Sequence, residues 1–99
     1  MTPAEIMDGA ANLIEQTGWT QGALARDVDG WPIHEDQSRA VCFCATGAIS
    51  RTRINEWDIT VLPFLPQPLT KWNDAPGRTK AEVLAALRDG AVKWRRDHP

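Results

Sequence analysis

Ninety-nine residues, 42% hydrophobic and 24% charged, describe one globular domain with a core of its own and no room for a second. A net charge of −2 excludes generic attraction to nucleic acid or anionic lipid. No apolar run reaches the length of a membrane span, and the N-terminus Met-Thr-Pro-Ala-Glu-Ile lacks the basic and apolar regions of a signal peptide, so a cytoplasmic protein is expected.

In chain order, Thr2-Pro3-Ala4-Glu5 is a capping box with proline at the first helical position. Ile6, Ala10, Leu13, Ile14 and Thr17 follow at helical spacing, which predicts a helix over 3–17 stopped by Gly18. Residues 18–37 are punctuated by Gly18, Gly22, Gly30 and Pro32 and read as loop, with a short helical turn over 21–27 and with Trp19 and Trp31 pinning the loop to the body. The Asp-Val-Asp-Gly-Trp stretch does not meet the calcium-loop pattern. From residue 38 the pattern turns helical, Val41, Ala45, Ala48, Ile49 and Thr52 sharing a face, and predicts a central helix over about 38–53. Gly47 inside it implies close approach of a neighbouring helix or turn.

Residues 54–58 end that helix or start another turn. Pro63, Pro66 and Pro68 exclude a long helix beyond them and suggest an extended connector, with one helical turn over 69–72. Ala75-Pro76-Gly77-Arg78 fits a type II turn, and Asn73 and Asp74 can fold back onto nearby amides, with Asp74 expected to pair with Arg78. Thr79 and Glu82 form a second capping box, opening a last helix over 80–96 that buries Val83, Leu84, Leu87, Ala91 and Trp94. The sum is an all-α fold over residues 1–99: three main helices, one or two short helical turns and a proline-rich connector.

Charge is unevenly distributed: residues 1–37 carry −6, 38–77 carry +1 and 78–99 carry +3. Acidic and basic parts can neutralise each other on the folded surface, or the basic last helix can dock an acidic partner. Cys42 and Cys44, one residue apart on a helix, would point in different directions and stay reduced.

Two stretches carry a resemblance. Cys-Ala-Thr-Gly-Ala-Ile at 44–49 and Trp-Asn-Asp-Ala-Pro-Gly-Arg-Thr at 72–79 are similar to the signatures of an uncharacterised family of small actinobacterial, other bacterial and phage proteins, typified by Cys-Ala-Leu-Gly-Ala and Trp-Asn-Asp. Gly-Trp-Thr-Gln-Gly at 18–22 resembles its N-terminal part, and Thr46 stands where the family usually has leucine. The resemblance implies a small helical domain of phage or bacterial origin and no assigned activity.

The residues admit two functions. No phosphate-cradling loop or acid–base constellation is recognisable. The favoured reading is therefore a non-catalytic interaction or regulatory protein that binds a protein partner, with Trp72, Arg78, Arg88 and Arg95 as candidate contacts. Gly47, Asn73, Asp74, Pro76, Gly77, Thr79 and Glu82 are then structural. The alternative is a cysteine-dependent hydrolase or transferase using Cys44 with His34 and Asn73 or Asp74. Nucleic-acid contact through Arg78, Arg88, Lys93, Arg95 and Arg96 is a weaker option. No cofactor is called for, and a zinc site from His34, Cys42 and Cys44 is disfavoured by the ligand spacing, so no metal is expected. The oligomeric state is not legible.

Overall fold

The protein is described by a computed structural model covering residues 1–53 and 59–99. Helix α1 runs Pro3–Gln16, and both arms of its capping box form: Thr2 Oγ1 accepts from the Glu5 N–H and Glu5 Oε1 from the Thr2 N–H. Its C-cap is Thr17, so the helix ends just before Gly18. The buried stripe is wider than the expected one: Ala4, Met7 and Ala11 are sealed together with Ile6, Ala10 and Ile14.

Three two-residue strands follow, β1 (Ala25–Arg26), β2 (Pro32–Ile33) and β3 (Cys42–Phe43), forming an antiparallel sheet in the order β2-β1-β3. This sheet corrects the all-α expectation. The helical turn expected over 21–27 is replaced by β1, whose Ala25 is fully buried opposite Ile33 and Phe43. Residues 18–20 run along β3, with the Phe43 N–H donating to Gly18 O and the Thr20 N–H to Phe43 O.

The central helix is half the expected length. Helix α2 is Ala45–Thr52, because Val41, Cys42 and Phe43 are drawn into the ladder, where branched and aromatic side chains pack well. Phe43 is the buried anchor of that stretch at 1% exposure, whereas Val41, counted above on the helix face, is exposed. The geometry that held the two cysteines apart therefore does not apply; both are nevertheless free thiols.

The expectation for residues 54–58 lies outside the described residues. Instead of an extended connector, Ile59–Phe64 form a 3-10 helix that accommodates Pro63 and buries Val61, with Leu65 sealed just beyond it. Helix α3 (Leu69–Asn73) is the single turn anticipated there, one residue longer. The turn at 75–78 closes with the Arg78 N–H on Ala75 O, and Gly77 sits at φ +82°, a value side chains on L-residues resist. Helix α4 (Lys80–Asp97) opens on the Thr79–Glu82 capping box. It packs chiefly against α1, burying Val83, Leu87 and Ala91, with Leu84 and Trp94 partly covered at the edge of the core. No helix among the described residues is long and apolar enough to cross a membrane.

Candidate functional site

The three family-like stretches meet at one side chain. Asn73 ends α3 and is completely buried. Its Oδ1 accepts from Trp19 Nε1 at 2.8 Å and from the Ala45 N–H at 3.0 Å. Its Nδ2 donates to Thr20 O at 3.2 Å and to Asp74 Oδ1 at 2.9 Å. An amide offers two acceptor and two donor positions, and here all four are used, which also fixes its orientation. Gln21 Nε2 donates to Asn73 O and Ala75 O, and Asp74 Oδ1 accepts the Gly22 N–H. Asp74 thus ties residues 18–22 to the turn rather than pairing with Arg78, as its sequence position had suggested.

The start of α2 shows what residues 44–47 do. Cys44 is its N-cap, and Sγ accepts from the Gly47 N–H at 3.3 Å while Asn73 satisfies the Ala45 N–H. Two orphan donors of a helix start are therefore answered by a thiol and a distant amide. Gly47 is required by close approach: a Cβ there would collide with the Leu24 carbonyl, whose oxygen accepts the Cys44 N–H. Cys44 is 2% exposed, and burial pushes its thiol above the ordinary value against the pull of the Gly47 and Thr46 amides. A sealed, neutral thiol is the environment of a packing residue, not of an activated nucleophile.

The other residues named for an enzyme are only partly assembled. Asn73 and Asp74 lie beside the cap, but His34 is exposed and contacts Glu35 and Asp36. His98 stacks on Trp94 at 4.2 Å and contacts Trp94 O through Nδ1.

The four candidate binding residues all have intramolecular partners. Trp72 is half-buried under the Arg78 guanidinium, 4.1 Å from the ring centre, and Arg78 also reaches Trp72 O and Glu82 Oε2. Arg88 donates to Glu15 Oε2 at 2.8 Å and Asn12 Oδ1 at 3.1 Å, and Arg95 lies 2.8 Å from Asp8 Oδ2. Arginines of the basic α4 are thereby spent on the acidic α1.

What remains open is the hairpin between β1 and β2. Asp27 Oδ1 accepts the N–H groups of Asp29 and Trp31, the Gly30 N–H donates to Asp27 O, and the Asp27 N–H to Trp31 O. Arg26 braces it through Thr20 Oγ1, Gln21 O and Gly30 O. Trp31 is not pinned onto the body as expected: it is 70% exposed, and Val28 beside it 83%. The turn chemistry was present in the sequence as Asp-Val-Asp-Gly between Ala25-Arg26 and Pro32-Ile33, a type I turn followed by a glycine bulge. Against the inner end of the acidic loop, beside α2, lies a cavity of about 220 Å3 lined by Leu24, Glu35, Ile49, Ser50, Val61 and other side chains.

A helical domain closed around one buried asparagine, carrying an acidic hairpin on its outside, is the class these features define. The chain belongs to a family of unknown function, DUF6197, whose model matches residues 1–93. No curated protein and no solved structure matches it.

Proposed function

We propose that this is a non-catalytic interaction or regulatory protein of bacterial or phage origin, acting in the cytoplasm by binding a protein partner through the 27–36 hairpin and loop. The observation that carries the reading is Trp31, 70% exposed on a turn in which the N–H groups of Asp27, Asp29, Gly30 and Trp31 are all hydrogen-bonded. A large aromatic held rigidly in water loses little entropy on docking and contributes disproportionately to affinity. Residues 27–36 carry four acids and no lysine or arginine, which favours a partner with a basic face around an apolar recess. The hydrolase alternative gains no such support, since its nucleophile is sealed and its imidazole is engaged elsewhere.

Affinity capture from a host lysate, run in parallel with wild type and a V28S/W31A double variant, tests the reading. A protein retained by wild type and lost with the variant supports it. A partner held equally by both, or none at micromolar bait, contradicts it.

A further inference from the structure

Glu35 is a buried residue in a loop whose neighbours are exposed. It is 7% exposed, and its Oε1 accepts from Ser50 Oγ at 2.7 Å. The other oxygen, Oε2, is buried and has no hydrogen-bond partner. It is therefore a buried carboxyl group with one oxygen that no hydrogen bond answers, a gap that a bound cation would fill.

The surroundings supply the rest of a coordination set. His34 Nδ1 lies 3.6 Å from Glu35 Oε2 and 3.8 Å from Asp36 Oδ2, and one ligand atom from each of the three residues falls within 4.8 Å of the others. Nitrogen and oxygen ligands at about 2.0–2.2 Å from one ion stand roughly 3–3.5 Å apart, so the two measured gaps need close only slightly. We propose that His34 Nδ1, Glu35 Oε2 and Asp36 Oδ2 bind a divalent first-row transition ion, Zn2+ foremost.

One imidazole with two carboxylates suits such an ion better than Mg2+ or Ca2+, which are held through oxygen alone. The ion gives Glu35 Oε2 its partner and relieves the repulsion between adjacent carboxylates. The loop is braced for this from α2: Ser50 orients Glu35, and Arg51 Nη1 donates to Glu35 O at 2.7 Å and Gln37 O at 3.2 Å. One bond is exchanged on binding: the Asp36 N–H, which donates to His34 Nδ1 at 3.1 Å, turns to water. The positive charge of Arg53 near Glu35 sets the affinity below that of a carboxylate site free of cations.

Zn2+ titrated into the full chain, followed by calorimetry and amide NMR, is expected to saturate at one ion per chain with shifts centred on residues 34–37 and Ser50. E35Q and H34A should each weaken binding at least about tenfold. H34A alters an exposed side chain, so its result does not depend on the buried contact to Ser50. C42S should leave binding unchanged. Failure to saturate, loss of binding in C42S, or unaltered binding in both E35Q and H34A would overturn the site; a Mg2+ response equal to that of Zn2+ would overturn the choice of ion.

Discussion

The Asn73 junction and the 27–36 loop are opposites built within one small domain. At the junction an uncharged amide is fully buried and every polar atom of it is matched. In the loop a tryptophan and a valine stand in water, residues 27–36 hold four acids and no lysine or arginine, and one buried carboxylate oxygen goes unmatched. Satisfied polar networks specify a structure, whereas unmet hydrogen-bonding capacity and exposed aromatic area are what a ligand or partner can complete. On the proposed function, residues 18–22, 44–49 and 72–79 are architecture and the loop is the part that recognises a partner.

That division can be broken by substitution. The largest effect should come from N73A, which strands Trp19 Nε1, the Ala45 N–H and Thr20 O inside the protein and is expected to remove about 3–5 kcal/mol in urea unfolding. G47A should follow at about 3 kcal/mol, because the added methyl meets the Leu24 backbone and not a side chain that could swing away. C44A should lose about 1 kcal/mol as a missing cap, with C44S close to wild type; a C44S variant as damaged as N73A would show that the sulfur does more than cap.

Acid should act next, through the capping boxes. Hydrogen bonds from Thr79 to Glu82 and from Thr2 to Glu5 lower both carboxyls from an ordinary value of 4.5. A carboxyl lowered in the folded state contributes stability above its unfolded value and loses it as pH falls through the folded one. The urea midpoint should therefore hold from about pH 7 to 5 and fall below that, with a shallower acid limb in E82Q. W31A should change stability least, within about 0.5 kcal/mol, since the ring is in solvent; a larger loss would move the hairpin from recognition to architecture.

Much of this fold was readable because local chemistry decided it. Both capping boxes, the 75–78 turn and the last helix are set by residues within a few positions of each other, so the sequence reading and the structure agree there. The central helix is shorter than its periodicity predicts because Val41, Ala45 and Ala48 satisfy a helical period while Val41, Cys42 and Phe43 equally suit a strand, and pairing with β1, far away in sequence, decides between them. Gly47 did signal a close neighbour, though one formed by the Leu24 backbone. Asn73 reads locally as a turn-former; its bonds to Trp19 and Ala45 span 54 and 28 residues and leave no local pattern. The engagement of Arg88 and Arg95 by α1 was anticipated only as a general cancellation of charge.

Residues 18–22, 44–49 and 72–79 are locked together through the Asn73 amide. Native-state hydrogen exchange of the Ala45 amide and the Trp19 indole N–H tests this lock most directly, because both donate to Asn73 Oδ1. The account predicts that both exchange only as slowly as the core amides of α1 and α4, through global unfolding, and that N73A releases them together. Rapid exchange of either group in the wild-type protein would contradict it.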